Sequence, residues 1–403
     1  MPVLAAAVSG GADSLCLALL AGRWAASRGG RLVGLVVDHG LRPESQSEAE
    51  ATCARLCELG MEARLLVWRG GKPKSGIQAA AREARYHLLF EACRRDGLLH
   101  LLLAHHAGDQ AETVWLRHKA SSGPAGLAGM PVCAERDGVR LLRPLLGVPG
   151  ARLRATLQAA GLSWIEDPSN RDAAFARVRA RRAIAGEGAV LCAEATVQAQ
   201  RRHDDDHCIA RLLAETVRLS PAGAAEVDIT ALLAAGQLGQ RALARVLVCL
   251  GGARYAPRGE RLARLLEALS QPVPGTLGGC RLLPLGDGRL LICREAGAIA
   301  PVGPVDETWD RRFRIRAKAI EGATLRPLDD ATWGRLRKGA DTALEALPQP
   351  VREGLPVLWS LDAPLVLPHL DKWEMGLSPL AVRFRPAQAL LGAPFATMRK
   401  MTS

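Results

Sequence analysis

The sequence lacks several features that would each define a class of protein. None of its ten cysteines stands in a C-x-x-C pair, which argues against a zinc ribbon and a dithiol redox motif. It has no run of eighteen apolar residues and no basic segment ahead of its first apolar run, so we expect neither a membrane span nor a signal peptide. Together with the unpatterned cysteines, these absences predict a cytoplasmic protein.

Aromatic residues and lysines are also scarce, whereas arginines are abundant. Aromatic residues make up 4% of the 403 residues, and only seven of the 53 Lys and Arg residues are lysines. The formal net charge of +12 favours a polyanionic partner, and the planar guanidinium fork suits nucleic-acid phosphates. The length and a hydrophobic fraction of 48% predict a folded chain with more than one domain.

Short apolar segments alternate with longer amphipathic segments over roughly the first 165 residues. This alternation predicts an α/β fold, in which a parallel, doubly wound sheet carries helices on both faces. Ligands of such sheets lie beyond the carboxyl ends of the strands. The predicted strands cover 3–8, 32–38, 62–68, 98–104 and 141–146, and the predicted helices cover 14–28, 44–59, 77–96, 108–119 and 149–161.

The alternation stops near residue 167, and the remaining sequence predicts a different organisation. Residues 172–219 have a helical pattern rich in arginine, helical patterns continue over 232–269, and 276–294 predicts a small hairpin with glycine turns. We therefore predict three domains. They are the α/β domain over 1–185, a helical domain with a small hairpin over 186–300, and a small α+β domain over 301–403.

The strongest motif is a turn between the first predicted strand and the first predicted helix, with the sequence Ser9-Gly10-Gly11-Ala12-Asp13-Ser14. Two glycines let the backbone approach a ligand closely, and the N–H groups and dipole of a helix start attract an anion. Asp13 would repel phosphate unless Mg²⁺ lies between them. The chain has no G-x-x-x-x-G-K-[ST] motif, so γ-phosphate transfer is not expected. An ordinary tight turn that caps a helix is the alternative.

Two further segments place polar groups near this turn. Asp38 and His39 end the second predicted strand and are expected to lie beside the ligand, although these residues taken alone favour a solvated turn. Gln78, Arg82 and Arg85 share one face of the third predicted helix. Two guanidinium groups on one face suit phosphates or developing negative charge, and the alternative is a salt-bridged surface.

The segment 105–113 pairs two carboxylates at another junction between a strand and a helix. Asp109 and Glu112 are three residues apart and face one side of the predicted helix, where they suit a metal ion or an ammonium group. An acidic first turn that complements the helix dipole is the alternative. His105 and His106 are adjacent and cannot share a helical face, which argues against zinc.

Two weaker segments complete the pattern. A glycine-rich stretch over 121–130, expected to be a flexible loop, contains Ser122 and Gly123. The second begins at Glu166 and continues, after a loop, into Arg177-Val178-Arg179. Taken alone, these segments indicate a loop and a basic helix.

Together and in this order, the segments resemble the tRNA(Ile)-lysidine synthases, a family of PP-loop (N-type) ATP pyrophosphatases. The resemblance is close over the first 180 residues and weaker at Arg294, at Trp309-Asp310 and over 350–370. It implies an adenine nucleotide alpha hydrolase-like fold for 1–185 and tRNA-binding domains for the rest. It also implies ATP-dependent ligation of L-lysine to C2 of the wobble cytidine in tRNA(Ile) with a CAU anticodon, through an adenylated tRNA, with release of AMP and pyrophosphate.

The resemblance also implies roles for individual residues. The turn over 9–14 would grip the pyrophosphate of ATP, with Asp13 at Mg²⁺. The catalytic residues would be Asp13, Arg82, Arg85 and Asp109. Asp38 and His39 would lie near the nucleoside, Arg177 and Arg179 would close over ATP or tRNA, and the substrate would be held by Asp109, Glu112, Ser122 and Gly123. The family usually has glycine where this chain has Ser121 and asparagine where it has Val178.

Three alternatives remain at this point. A PP-loop tRNA thiolase usually needs paired cysteines, which this chain lacks; Cys133 alone lies near the glycine-rich stretch. A non-catalytic tRNA-binding paralogue would be expected to have lost Asp13 or the glycines of the turn. A small-molecule amidotransferase or ligase would not need the basic charge. The oligomeric state stays open, with a homodimer among the expectations.

Overall fold

The computed structural model describes residues 1–73, 75–166, 176–184, 186–269, 271, 273–305, 308–317, 322–340, 342–360, 363–370 and 380–391. The chain divides into two compact units, Met1–Asp204 and Asp205–Gly392. The three domains expected from the sequence, with boundaries near 185 and 300, stay a prediction. Among the described residues, none of the helices combines the length and the apolar character needed to cross a bilayer.

The first unit contains one six-stranded sheet and its covering helices. Its strands are β1 (Val3–Val8), β2 (Arg31–Asp38), β3 (Glu62–Val67), β4 (His100–Leu102), β5 (Cys133–Arg136) and β6 (Val139–Leu142). Its helices are α1 (Ala12–Ala26), α2 (Ser45–Glu58), α3 (Ile77–Arg95), α4 (Ala107–Lys119), α5 (Pro124–Leu127), α6 (Gly150–Ala159), α7 (Ala176–Ala183) and the first part of α8 (Gly188–Thr216).

The sheet is doubly wound about its central strand. Its order is β3-β2-β1-β4-β6-β5, and every neighbouring pair is parallel except β5 and β6. The chain runs outward from β1 to β3 and then returns to β4 on the other side of β1. This reversal opens a crevice at the carboxyl ends of β1 and β4, where doubly wound folds bind their ligands.

The alternation of side chains along β1 explains why helices cover both faces. Leu4, Ala6 and Val8 pack in one buried cluster with residues of α1 and α6, whereas Ala5 and Ala7 pack in another with residues of α3. Successive side chains of a strand point to opposite faces, so a strand that is apolar at every position must be covered on both. The predicted parallel, doubly wound domain is thereby confirmed.

The end of the sheet differs from the prediction. The expected strand over 141–146 is β6, which ends at Leu142 and is preceded by the antiparallel partner β5. The two strands are joined by Asp137-Gly138, both with positive φ (51° and 77°). Asp-Gly with this backbone is a strong hairpin signal, so the sequence contained the information that would have predicted β5.

Helix α4 ends in a left-handed residue that is not glycine. Ser121 has φ 49°, and its N–H donates to the His118 carbonyl at 3.0 Å. The N–H of Ser122 donates to the Arg117 carbonyl at 2.9 Å, so the turn closes the helix in the usual way. A side chain in this conformation is strained, which gives a physical reason for the glycine that the family usually has there.

Ser121→Gly is expected to raise the free energy of unfolding by about 0.5–1 kcal/mol, because glycine adopts this backbone without a Cβ penalty. Urea unfolding followed by tryptophan fluorescence measures the change. Ser122→Gly is the matched control, because Ser122 has no positive φ and added glycine freedom should lower stability there. Equal changes in the free energy of unfolding of the two variants would contradict the explanation by the left-handed backbone of Ser121.

The second unit contains three sheets and several helices. The elements of its first half are the end of α8, β7 (Val217–Ser220), β8 (Ala224–Asp228), α9 (Ile229–Ala234), α10 (Gly236–Gly251), α11 (Gly259–Ala268), β9 (Gly275–Leu277), β10 (Cys280–Gly286) and β11 (Arg289–Arg294). Those of its second half are β12 (Gly303–Pro304), β13 (Thr308–Trp309), β14 (Phe313–Ala317), β15 (Ala323–Pro327), α12 (Asp330–Leu336), α13 (Thr342–Glu345), α14 (Gln349–Arg352), β16 (Pro356–Ser360), β17 (Ala363–Val366), β18 (His369–Leu370) and β19 (Leu380–Phe384).

The strands of the second unit form one five-stranded and two four-stranded sheets. Their orders are β7-β8-β11-β10-β9, β12-β15-β16-β17 and β13-β14-β19-β18. The hairpin predicted over 276–294 exists as β10 and β11 but belongs to the larger sheet, and the helix expected through residue 219 gives way to β7 at Val217. Leu243, Val246, Leu247 and Leu250 recur at helical spacing on α10 and form part of the core against this sheet.

Candidate active site

A large cavity opens at the carboxyl ends of β1 and β4. Its volume is about 1560 Å³, above the roughly 300–1,000 Å³ usual for small-molecule pockets. The cavity therefore has room for a nucleotide and a second substrate. Its charged walls consist of the cations Arg42, Arg82, Arg85, Arg154 and Arg181 and the anions Asp13, Glu48, Asp109, Glu112 and Glu166.

The turn over 9–14 forms one wall of the cavity, and Thr52 and Ile165 pack against it at Gly10. Gly10 has φ +82°, and a Cβ there would lie 2.5 Å from Thr52 Oγ1 and 2.9 Å from Ile165 Cδ1. The Ile165 N–H donates to the Gly10 carbonyl at 3.0 Å. Both the backbone conformation and the close packing therefore require glycine at this position.

The two serines of the motif mainly stabilise the turn itself. Ser14 is buried, and its hydroxyl donates to the Gly11 carbonyl at 3.0 Å and accepts from the Ser9 N–H at 3.1 Å. The Ser9 and Ser14 hydroxyl oxygens lie 3.2 Å apart. Among the described residues, no side chain caps the N-terminus of α1, and the first two residues of this helix, Ala12 and Asp13, line the cavity. An uncapped helix start beside a cavity is suited to an anion.

Asp13 is a half-buried carboxylate with one oxygen unused. Its Oδ1 is buried and has no hydrogen-bond partner among the residues that the structure describes, and its Oδ2 lies 3.6 Å from His106 Nε2. Burial raises the pKa of Asp13, and His106 acts against that shift while nearby Asp109 adds to it. A desolvated carboxylate with a free oxygen is suited to bind a cation.

Glu112 lies deeper in the same wall. Its side chain is 3% exposed, its Oε1 accepts from Arg181 Nε at 2.8 Å, and its buried Oε2 has no hydrogen-bond partner in the described part of the chain. Asp109 Oδ2 accepts from the His106 N–H at 3.0 Å and thereby fixes the start of α4. The structure brings Asp13, Asp109 and Glu112 to one cavity, as the sequence predicts.

The arginines of the site come from three helices and from the loop before α2, which carries Arg42. Arg82 and Arg85 line the cavity from α3, and the Arg82 guanidinium lies 5.2 Å from the ring centroid of Tyr86, a contact that orients it. Arg154 of α6 and Arg181 of α7 line it as well, although the sequence did not single them out. The structure does not place Arg179 among the lining residues, and the Arg177 side chain lies outside the described residues.

Asp38 and His39 differ in their position. His39 lines the cavity, but Asp38 is buried and does not. The Asp38 carboxylate accepts from the Gly40 N–H at 2.8 Å and from the Ser45 hydroxyl. Asp38 therefore shapes the turn after β2 and positions His39 and Ser45, both of which face the cavity.

Ser122 and Gly123 do not line the cavity. Their segment contains the short helix α5 and is tied to α4, where the Gln110 side chain bonds both the N–H (2.8 Å) and the carbonyl (3.1 Å) of Met130. Arg117 donates to the carbonyl of Gly126 and, at 2.9 Å, to that of Gly129. The segment expected to be a flexible loop is therefore fixed to α4 by these hydrogen bonds. Contact of Ser122 and Gly123 with the substrate stays a prediction.

Several residues that line the cavity were not predicted from the sequence. Of the stretch 166–170, only Glu166 is described, and it lines the cavity with Trp164 and Ile165. The sequence raises His106 only as a zinc ligand, which its spacing argues against, whereas in the structure its ring lies between Asp13 and Asp109. Arg154 carried no local signal, because a single arginine on an amphipathic helix is ordinary.

Comparison with known proteins assigns the chain to a family. The PP-loop domain family matches residues 2–187. The tRNA(Ile)-lysidine synthase of Ruegeria pomeroyi is 36% identical over 81% of this chain and 80% of that protein, and that of Caulobacter vibrioides is 35% identical over 89% and 84%. The chain belongs to the tRNA(Ile)-lysidine synthase family.

Another relative matches a shorter part of the chain at higher identity. The tRNA(Ile)-lysidine synthase of Bradyrhizobium diazoefficiens is 53% identical over 45% of this chain, and the chain spans about half the length of that relative (50%). A solved U34-tRNA thiolase, NcsA from Methanococcus maripaludis with its [4Fe-4S] cluster, is 16% identical with a TM-score of 0.42, covering 49% of this chain and 71% of its own. A likeness this distant carries no information on activity.

Proposed function

We propose that this chain ligates L-lysine to C2 of the wobble cytidine in tRNA(Ile) with a CAU anticodon. The cytosine O2 first attacks the α-phosphorus of ATP, and pyrophosphate leaves. The neutral lysine amine then attacks C2, the C2–O2 bond breaks, and AMP leaves with that oxygen. The observation that carries the proposal is that one cavity unites the uncapped turn over 9–14 with the separate carboxylates of Asp109 and Glu112.

The PP-loop family implies ATP, and the turn over 9–14 supports a place for its phosphates. Mg²⁺ fits the free Oδ1 of Asp13. The described residues contain no group of three metal-ligating side chains, which suits an ion held by one carboxylate, phosphate oxygens and water. Bound there, Mg²⁺ would neutralise phosphate charge as pyrophosphate departs.

Arg82 and Arg85 are suited to the negative charge that develops at the α-phosphate while the adenylyl group is transferred. Both line the cavity from one face of α3. A guanidinium that is already in place stabilises such charge without reorganisation at the moment of reaction. Arg181 and Arg154 extend the basic wall, and a contact of Arg177 or Arg179 with ATP or tRNA stays part of the proposal.

Asp109 and Glu112 are suited to hold lysine. The unpartnered Oε2 of Glu112 and the carboxylate of Asp109 offer negative charge to an ammonium group. They would orient the amino acid but favour its charged form, so neither needs to be the base that removes the amine proton. The large cavity volume leaves space for lysine beside the nucleotide.

The tRNA is the third component. The +12 net charge supports a nucleic-acid partner, and the target base must leave its stack to reach the cavity. No cysteine stands among the described residues that line the cavity, which disfavours the thiolase alternative. A homodimer stays an expectation.

The test is a lysine-incorporation assay. Protein, Mg²⁺, ATP, labelled lysine and tRNA(Ile) with a CAU anticodon should give AMP, pyrophosphate and lysine retained on the RNA. The same tRNA with the wobble cytidine changed to uridine is the matched control and should retain none. Release of ADP, or AMP formation that does not need tRNA, would sink the proposal.

A further inference from the structure

The His106 side chain is pinned at the rim of the cavity, between two carboxylates. It is only 14% exposed, and its Nε2 lies 3.6 Å from Asp13 Oδ2 and 3.9 Å from Asp109 Oδ2. The backbone on both sides comes very close to the ring. A Cβ on Gly108 would lie 2.7 Å from its Cε1, and one on Gly150 would lie 3.2 Å from its Nε2. The ring therefore has little freedom to turn away.

The hydrogen bond of the other ring nitrogen decides which tautomer is present. The Gly108 N–H donates to His106 Nδ1 at 2.9 Å, so Nδ1 is an acceptor and carries no hydrogen. In the neutral ring the hydrogen is then on Nε2, the atom that faces Asp13. The Nε2–Oδ2 separation exceeds an ordinary hydrogen bond, but such contacts often tighten when the ligands bind.

The arrangement separates the two oxygens of Asp13. Oδ2 faces an N–H donor, whereas Oδ1 is left without a hydrogen-bond partner among the described residues. Groups that hold the second oxygen of a metal-binding carboxylate set its orientation and contribute to metal affinity.

We propose that His106 is a positioning residue, whose Nε2–H holds Asp13 so that Oδ1 is presented to the divalent cation that accompanies the nucleotide. The inference rests on the proposed function for the role of Asp13. His106 also lies between the carboxylates of Asp13 and Asp109, where its Nε2–H offsets part of their mutual repulsion.

Helix capping alone does not account for a histidine here. His106 is the N-cap of α4, where Ser, Thr, Asp and Asn accept the same backbone hydrogen bond. None of these shorter side chains would extend a donor past the cap to Asp13. The two roles can therefore be separated by substitution.

His106→Asn keeps a preferred N-cap and its acceptor but removes the group that faces Asp13. His106→Gln provides an amide N–H near the position of Nε2. We expect the asparagine variant to bind Mn²⁺ about 10–100-fold more weakly in the presence of α,β-methylene-ATP, with an unchanged melting temperature. The glutamine variant should recover most of that loss. Calorimetric titration of Mn²⁺ into each protein measures the affinity without turnover.

A double-mutant cycle tests whether His106 acts through Asp13. In an Asp13→Asn background, His106→Asn should cause no further loss of Mn²⁺ affinity, because its target is gone. A full additional loss there, or wild-type affinity in the single His106→Asn variant, would overturn the inference. So would a fall in melting temperature that accounts for the weaker binding.

The outcomes also separate this inference from the proposed reaction. Wild-type protein that shows the His106-dependent Mn²⁺ affinity but retains no lysine on tRNA would refute the reaction and leave the inference standing. Protein that is active, with Mg²⁺ dependence and Mn²⁺ affinity unaltered by His106→Asn, would refute the inference alone. Absence of Mn²⁺ binding with the nucleotide analogue in wild type would refute both.

Discussion

Asp13→Asn is expected to lower the rate of AMP formation by at least about 10³-fold while making the protein more stable at pH 7. The loss follows because the amide provides no negative charge for Mg²⁺ at Oδ1, the only side-chain oxygen of the turn that is buried without a hydrogen-bond partner in the described residues. The gain follows because the half-buried Asp13 is costly to ionise, since burial raises its pKa and Asp109 adds repulsion.

The stabilisation should depend on pH in a defined direction. The folded state holds the Asp13 proton more tightly than the unfolded state, whose carboxyl has the ordinary pKa of 3.8. The contribution of Asp13 to the stability of the wild type therefore falls as pH rises from that value through the raised pKa of the folded state. The melting temperature of Asp13→Asn should exceed that of the wild type at neutral pH, and the difference should vanish as pH falls toward 3.8.

Asp137→Asn is the matched control, since it also removes one carboxylate from the first unit but lies in the β5–β6 turn, away from the cavity lining. Its rate of AMP formation and melting temperature should stay close to wild type. Thermal melts at several pH values and a pyrophosphate-release assay provide the measurements. Retained activity in Asp13→Asn would contradict the proposal that the turn over 9–14 binds the nucleotide phosphates with Mg²⁺. Lower stability of this variant at neutral pH would contradict the argument that buried Asp13 is costly to ionise.

Asp310→Asn is expected to lower the free energy of unfolding of the second unit by about 3–5 kcal/mol. Asp310 accepts from Arg294 through both oxygens, at 2.7 and 2.9 Å, and from Arg312 Nε at 2.6 Å. The Arg312 side chain is 0% exposed, and burial lowers its pKa to about 10, so it is still charged at neutral pH. Loss of the one carboxylate that these two arginines share would leave two desolvated cations without a counter-charge.

Both arginines also donate to backbone carbonyls, so their side chains cannot move into solvent without breaking further hydrogen bonds. Arg294 donates to the carbonyls of Gly279 (2.9 Å) and Ala298 (2.8 Å), and Arg312 donates to that of Gly354 (2.7 Å). Asp287→Asn, in the exposed turn between β10 and β11, is the control and should change stability by less than about 0.5 kcal/mol. Urea unfolding compares the two variants, and a loss below about 1 kcal/mol in Asp310→Asn would show that the network relaxes.

The resemblance to a family pointed to Arg294 and to Trp309-Asp310 but assigned them no role. They form a buried ion network because the fold brings Arg294 of β11 against Asp310, which lies 16 residues further along the chain. No local pattern of the sequence reveals such a pairing, because each residue by itself is an ordinary polar residue. The same holds for Glu112 and Arg181, whose contact at 2.8 Å joins α4 to α7.

The sequence by itself determined the strand-turn-helix units of the first domain and the turn over 9–14, because their apolar periodicity and glycine chemistry act within about twenty residues of chain. It also placed Asp13, Asp109 and Glu112 at junctions between strands and helices, and the carboxyl ends of parallel strands meet at one edge of the sheet. Arg82 and Arg85 could be placed only on one face of a helix. Only the tertiary structure decided which further groups reach the cavity. Arg154, Arg181 and Ile165 arrive there through packing of helices and loops distant in sequence from the turn over 9–14, and that packing depends on the whole fold rather than on any local pattern.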